Sequence, residues 1–214
     1  MLLDAVVPAT VVGLLAGGRL SRFRDLDLRA PWVFVAAALV QVLLVVAGVR
    51  HWDRVAAVGG ALVVASFTLL LLGLWVNRRL PGVWVAAIGV FLNLLVIAAN
   101  GGAMPVDREL AVRAGNQGLV EMLDSPAYAK HKPVGPQTRL RPLADVLPLP
   151  MILPRPRWFS PGSVGDAFVT IGACWLILAA MGAFGLRANT PPGGSDPGAA
   201  KGQRQPPGEP TTKR

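Results

Sequence analysis

The chain has 214 residues, of which 53% are hydrophobic and only 15% are charged, and its mean hydropathy is +0.50. A soluble domain carries about 25% charged residues, so this composition argues against a soluble globular protein. The formal net charge is +9, but the basic residues flank apolar runs instead of lining a soluble face with aromatic residues, which predicts a lipid bilayer as partner and no nucleic acid.

Five long apolar runs, nearly free of charged residues, predict an all-α membrane protein with five transmembrane helices. The first run is followed, not preceded, by arginines, which is unlike a cleaved signal peptide. Pro31 stands at a helix-start position before the second run, and small residues such as Gly59 and Gly60 in the third run predict close packing on a neighbouring span. The predicted spans are residues 2–18, 32–49, 55–76, 83–99 and 166–186.

The distribution of basic residues predicts the orientation of these spans. Residues 19–31, 77–82 and 187–214 together hold eleven Lys and Arg, whereas the short loop 50–54 holds two. By the positive-inside rule this predicts a multi-pass protein of the bacterial plasma membrane with its N-terminus outside and its C-terminus in the cytoplasm. Residues 187–214 are rich in Pro, Gly, Gln and Thr and have no apolar pattern, so we expect a disordered basic tail.

Residues 100–165 form the long outer segment between the last two predicted spans. They are too polar for a span and too long for a simple connection. Residues 116–124 predict a short amphipathic helix. Residues 143–153 are apolar but short and interrupted by prolines, which favours an interfacial or re-entrant segment.

Several short motifs of this segment resemble one protein family. In chain order they are residues 100–106 (NGGAMPV), 130–132 (KHK), Thr138, 143–150 (LADVLPLP) and 163–166 (SVGD). The ordered set resembles an uncharacterised family of bacterial multi-span membrane proteins, domain of unknown function five-three-one-seven, over roughly residues 1–186. The resemblance implies the multi-span architecture and supplies no activity, substrate or cofactor.

Two asparagines of the fourth predicted span are candidates for a polar site. Asn93 and Asn100 are seven residues apart, so they lie on one stripe of a helix, about two turns from each other. A buried amide needs hydrogen-bond partners, which a neighbouring helix can supply. The alternative is that both amides line a cavity open to the outer face. The sequence after Asn100, with Gly101, Gly102 and Pro105, predicts a chain reversal.

Two interpretations also compete for the ionisable residues. Ser163 and Asp166 have the spacing of a helix capping box, Asp145 can cap a turn, and His131 lies between two lysines in what reads as a solvated loop. Alternatively, His131, Asp145 and Asp166 converge on a polar site at the outer interface, since ionisable residues at a membrane are often functional. The candidate ligand-binding residues are Asn93, Asn100, His131, Thr138, Asp145 and Asp166.

The sequence contains none of the common catalytic or nucleotide-binding motifs. His51 and His131 lack a second ligand at helical spacing, and Cys174 is the single cysteine, so we expect no metal and no cofactor. These observations favour a non-enzymatic binding or scaffold protein with a polar site at the outer membrane face. Its partners would be a lipid, a small molecule or other membrane proteins; the alternative is a small transporter or channel subunit.

Overall fold

The structure, a computed structural model, describes residues 2–50, 52–125, 130–150 and 158–185. It is mostly helical, with five apolar helices and a mixed segment of short helices and strands that connects the fourth helix to the last. The helices are α1 (Leu2–Leu15), α2 (Pro31–Val49), α3 (Asp53–Val76), α4 (Val83–Ala99), α5 (Arg108–Arg113), α6 (Gln117–Leu123) and α7 (Val164–Met181). The strands are β1 (Met104–Val106), β2 (His131–Pro133), β3 (Leu147–Pro150) and β4 (Phe159–Gly162).

The apolar helices lie close to their predicted positions, and the largest differences occur at glycines. α4 covers residues 83–99 as predicted, and α2 has Pro31 at its start. α1 ends at Leu15 rather than at residue 18, and Gly17 beyond it has a φ of +80°. α7 ends at Met181 rather than at residue 186, because Gly182 takes a left-handed φ of +68° and caps the helix.

Within the part of the chain that the structure describes, three helical stretches are long and apolar enough to cross a membrane: Pro31–Val49, Ala57–Val76 and Val164–Met181. The helix α4 is apolar but has 17 residues, which corresponds to about 25 Å against a hydrocarbon core of about 30 Å. The helix α1, with 14 residues, is shorter still. The structure therefore supports three candidate spans, and the count of five remains a prediction.

The five apolar helices pack in the order α2, α3, α4, α7, α1, so α4 lies between α3 and α7. Glycines let α4 and α7 approach closely: a Cβ on Gly172 would lie 2.6 Å from the carbonyl oxygen of Gly82. One of the small residues of α3, Gly60, also allows a close contact with a turn. A Cβ on Gly60 would lie 2.6 Å from the carbonyl oxygen of Gly101, so this glycine packs against the turn that follows α4.

One end of the helical bundle carries a cluster of arginines and is called the arginine end here. It comprises the ends of α1, α3 and α7 and the starts of α2 and α4, with Arg19, Arg22, Arg24, Arg29, Arg78 and Arg79. The connection from α1 to α2 is fixed there, because the Asn77 amide accepts a hydrogen bond from the backbone N–H of Arg29 (2.7 Å) and donates one to its carbonyl oxygen (2.8 Å). The backbone N–H of Arg19 likewise donates to the carbonyl oxygen of Met181 (3.0 Å).

The connecting segment lies at the opposite end of the bundle. β1 and β2 pair in parallel, with Met104 opposite His131, and Val106 also forms a parallel bridge with Asp145. β3 and β4 pair antiparallel, with Leu147 opposite Gly162. The predicted amphipathic helix is confirmed as α6, capped by Asn116.

Two predictions for other segments have different outcomes. Within residues 143–153, the structure has the end of a short 3-10 helix at Leu143 and the strand β3, so the described part of this stretch includes an extended strand that pairs with β4, and its interfacial or re-entrant position stays a prediction. Residues 151–153 lie outside the described residues, as does the predicted disordered tail 187–214. The strands add short β-structure to a chain predicted to be all-α.

Candidate functional site

Asn93 lies on α4 beside the start of α7 and joins the two helices. Its side chain is 5% exposed. The Nδ2 group donates to Asp166 Oδ1 (3.0 Å), and Oδ1 accepts a hydrogen bond from the Ser163 hydroxyl (2.9 Å). The inter-helix hydrogen bond anticipated for this amide is therefore present, about three turns from the arginine end of α4.

Ser163 and Asp166 form the predicted capping box at the start of α7. The backbone N–H of Asp166 donates to Ser163 Oγ (2.9 Å), and the backbone N–H of Ser163 donates to Asp166 Oδ2 (3.0 Å). Each carboxylate oxygen of Asp166 thus accepts a hydrogen bond, Oδ1 from Asn93 and Oδ2 from Ser163. The Asp166 side chain is held in one orientation by groups on two elements.

The connecting segment brings Lys130, His131 and Asp145 to the same place. The backbone N–H of Met104 donates to the carbonyl oxygen of Lys130 (2.9 Å) at the start of the β1–β2 pair. The backbone N–H of Asp145 donates to the carbonyl oxygen of Pro105 (3.0 Å), which sets Asp145 against the other edge of β1. Because β1 follows directly after α4, these residues lie beside the C-terminal half of α4.

Together these elements enclose a pocket of about 340 Å³ that we call the polar pocket. Its lining contains polar and apolar residues in equal number, so it suits a molecule that has both characters. The polar residues are Asn93, Lys130, His131, Asp145, Ser160 and Asp166. The apolar residues are Val63, Phe67, Ile97, Met104, Leu119 and Pro161.

Asp145 is the most unusual group in the polar pocket. It is 8% exposed, and its Oδ1 atom has no hydrogen-bond partner among the residues that the structure describes. Burial raises the pKa of the Asp145 carboxyl well above its ordinary range, and the neighbouring Asp166 carboxylate, which also hydrogen-bonds it, raises this pKa further. The charge of Lys130 acts in the opposite direction but is the smallest of these effects. The carboxyl group therefore holds its proton to a higher pH than an exposed aspartate does.

The pKa values of the two basic groups of the polar pocket, Lys130 and His131, are lowered. Burial lowers the pKa of Lys130, and the carboxylates of Asp145 and Asp166 only partly oppose this effect. Burial, together with the charge of Lys130, lowers the pKa of the His131 imidazole to about 3. His131 is therefore neutral at physiological pH, and it lies half-buried in β2. The prediction of a solvated loop at this residue is wrong, because the strand pairing carries the imidazole into the pocket wall.

Four of the six sequence-predicted residues line the polar pocket: Asn93, His131, Asp145 and Asp166. The other two hold the connecting segment in place. Asn100 accepts a hydrogen bond from the backbone N–H of Arg139 (3.0 Å) and donates to its carbonyl oxygen (2.8 Å). Thr138 Oγ1 accepts a hydrogen bond from the backbone N–H of Gly135 (2.9 Å) within a turn.

Sequence reasoning did not select two polar residues that line the pocket, Lys130 and Ser160. Lys130 lies next to His131 in the KHK stretch, and that adjacency is the one sequence feature that points to it. Ser160 lies in β4, opposite Leu149 of β3, and nothing in its sequence neighbourhood distinguishes it. Among the described residues, no group of three or more His, Cys, Asp or Glu side chains is arranged to hold a metal ion.

Comparison with known proteins places the chain in a family. The family model described as "Family of unknown function (DUF5317)" matches residues 25–178. The chain belongs to the DUF5317 family. This confirms the resemblance seen in the sequence, and every residue that lines the polar pocket lies within the matched range.

A Thermotoga maritima protein described as uncharacterized is similar to this DUF5317 chain. The two are 28% identical over 172 residues, which is 80% of this chain and 87% of the relative. No solved structure matches the chain. The similarity therefore extends along most of both proteins.

Proposed function

We propose that this DUF5317 protein is a multi-pass protein of the bacterial plasma membrane whose polar pocket, at the outer face, binds a small molecule that carries an amine. In this proposal α1 and α4 complete a bundle of five spans. The position of α4 between α3 and α7 supports its inclusion, since a helix sheltered by neighbours need not match the full bilayer thickness. The arginine end faces the cytoplasm by the positive-inside rule, which puts the polar pocket outside.

The observation that carries the proposal is the Oδ1 atom of Asp145, which accepts no hydrogen bond from any residue that the structure describes. A buried acceptor without a hydrogen bond costs roughly 1–3 kcal/mol, and natural proteins keep few such groups. Oδ1 itself is buried, but its carboxyl group belongs to a residue that lines the polar pocket. A ligand with an N–H donor beside this carboxyl would satisfy the oxygen after a rotation of the side chain, and a ligand ammonium group would also stabilise the ionised carboxylate.

An ammonium group fits the charges of the polar pocket better than an anion does. Two carboxyl groups, Asp145 and Asp166, line the pocket together with one lysine, Lys130, whereas His131 is neutral. When a ligand ammonium binds at Asp145, the carboxyl proton leaves to solvent, and the total charge of the occupied site changes little. The apolar residues of the pocket lining would contact a short hydrocarbon part of the same molecule.

Two of the ionisable groups of the pocket, His131 and Asp166, are poorly suited to act as a general base. A general base works best when its pKa is near the operating pH. The pKa of His131 is about 3, far below that range, and both oxygens of Asp166 already accept hydrogen bonds from Asn93 and Ser163. These groups are arranged to hold a molecule in place, and this supports a non-enzymatic role.

The test compares hexylamine with hexan-1-ol as probes of the full chain in detergent. The alcohol has the same chain length and controls for partition into the micelle. At a free concentration of about 100 times its Kd, a ligand that binds only the folded state adds about 2.7 kcal/mol to the free energy of unfolding. At such a concentration hexylamine should raise Tm by about 5 °C or more beyond the effect of hexan-1-ol.

Two variants locate the effect. Asp145→Asn removes the ionisable acceptor and should abolish the difference between amine and alcohol. Asp124→Asn makes the same chemical change on the surface, where the carboxylate pairs with Arg108 (2.7 Å), and should keep the difference. Equal Tm shifts for amine and alcohol in the unmodified protein, or an undiminished amine effect in Asp145→Asn, would refute the proposal.

A further inference from the structure

A second cavity, of about 250 Å³, lies between α3 and α4 near the arginine end and is called the tryptophan groove here. Its walls include Trp75 of α3 and Trp84 of α4, whose rings meet edge to face with centroids 5.5 Å apart. Arg78 lies at the mouth of the groove, where the end of α3 turns towards α4. Ile88 and Phe91 extend the lining along α4, away from the arginine end.

The tryptophan groove runs along α4 from Val83 to Phe91, which is a rise of about 12 Å. That length accommodates a substantial part of an extended acyl chain. The side chains of Trp75, Trp84, Ile88 and Phe91 are each about half exposed. The groove is thus polar at one end, where Arg78 lies, and apolar over the rest of its length.

Arg78 is positioned to bind an anion at the mouth of this groove. The Cζ atom of its guanidinium lies 5.0 Å from the centroid of the Trp75 ring, and Nη1 donates to the carbonyl oxygen of Trp75 (3.2 Å). These contacts restrain the position of the guanidinium. The hydrogen bond to Trp75 uses one of its five N–H donors, so other donors can bind an anion. The surroundings are basic, because the connection from α1 to α2 adds four arginines and only two aspartates, Asp25 and Asp27.

We propose that the tryptophan groove binds an anionic phospholipid, with one acyl chain along α4 and the phosphate at Arg78. The depth order of the groove matches that of a phospholipid: a guanidinium at the helix end, then two indole rings at the level favoured by interfacial tryptophans, then Ile88 and Phe91. The net positive charge of the arginine end selects for an anionic head group. This site is separate from the polar pocket and does not depend on the function proposed for it.

The experiment measures quenching of tryptophan fluorescence by brominated lipids. The full chain is reconstituted into phosphatidylcholine vesicles that contain a minor fraction of either brominated phosphatidylglycerol or brominated phosphatidylcholine. A basic residue near a membrane surface favours an anionic lipid about fivefold. Half-maximal quenching should therefore need about fivefold less brominated phosphatidylglycerol than brominated phosphatidylcholine.

Three variants assign this preference to the groove. Arg78→Gln should remove most of it. Arg79→Gln makes the same charge change on the same turn, at a side chain that does not line the groove, and should retain the preference. Trp84→Phe keeps an apolar wall but removes one reporter, so the extra quenching by phosphatidylglycerol should fall. Equal quenching by the two lipids, equal losses in Arg78→Gln and Arg79→Gln, or unchanged extra quenching in Trp84→Phe would overturn the proposal.

Discussion

The protonation of Asp145 should be measurable as a pH dependence of stability that disappears in Asp145→Asn. An aspartate in the unfolded chain has a pKa of about 3.9, and in the folded protein burial and Asp166 raise that pKa. For a raised pKa, the contribution to the free energy of unfolding is fully present below the unfolded pKa. It is lost as the pH rises through the folded pKa.

The magnitude follows from proton linkage. Between the two pKa values the folded state binds one proton more than the unfolded state, so the free energy of unfolding falls by about 1.4 kcal/mol per pH unit. The amide introduced by Asp145→Asn does not titrate, so the variant lacks this decline. His131 has a lowered pKa and contributes a slope of opposite sign below about pH 6.5. Its contribution cancels in the difference because both proteins contain His131.

The assay is unfolding by SDS in mixed micelles, followed by circular dichroism over a pH series. The difference in unfolding free energy between the unmodified protein and Asp145→Asn should change with pH above about 4 and level off at the folded pKa. The exposed Asp124 is the control: its hydrogen bond with Arg108 lowers its pKa, so its contribution is lost only as the pH falls through acidic values. If the curves of the unmodified protein and Asp145→Asn are parallel, the carboxyl is not protonated as described and the reasoning is refuted.

Three further substitutions test the framework of the site. Asn93→Leu removes the amide that donates to Asp166 and should lower the unfolding free energy by roughly 1–3 kcal/mol, measured by the same SDS titration; an unchanged value would show that the inter-helix bond is not stabilising. Gly102→Ala adds a methyl group that overlaps the α3 backbone at a φ of +89°, whereas Gly101→Ala has a similar φ of +76° and open space around it. The left-handed conformation should lower the unfolding free energy of each variant by roughly 1–2 kcal/mol. Gly102→Ala should lower it clearly further, because its methyl group also overlaps α3; equal losses in the two variants would argue against this contact.

The apolar helices could be predicted from the sequence because a membrane span is recognised by composition alone. The ends of these helices were harder to predict from the sequence. The stretch after Met181 continues with apolar and small residues, so hydropathy extended the last span to residue 186. The helix instead stops where Gly182 takes a left-handed conformation. A backbone conformation of this kind changes no hydropathy value.

The candidate site was predictable only in part, for a physical reason. Asn93 and Asp166 stand out because each is a polar side chain in or beside an apolar run. The positions of His131 and Asp145 depend on strand β1, which pairs in parallel with β2 and bridges in parallel to Asp145. Parallel pairing joins residues far apart in sequence and has no short turn that would indicate it. Lysines on both sides of His131 therefore suggested solvent, whereas the fold made it part of a pocket wall.

The hydrogen bonds of Asn93 also constrain how the protein can be assembled during synthesis. Its partners Ser163 and Asp166 lie 70 and 73 residues further along the chain. At elongation rates of about 5–20 residues per second, they emerge roughly 4–14 s after Asn93. Until then the amide must bond to water or to other groups, since a buried amide without a hydrogen bond is costly. The α4–α7 contact therefore forms only after α7 has been synthesised, and the polar pocket, which Asp166 of α7 also lines, is incomplete before that point.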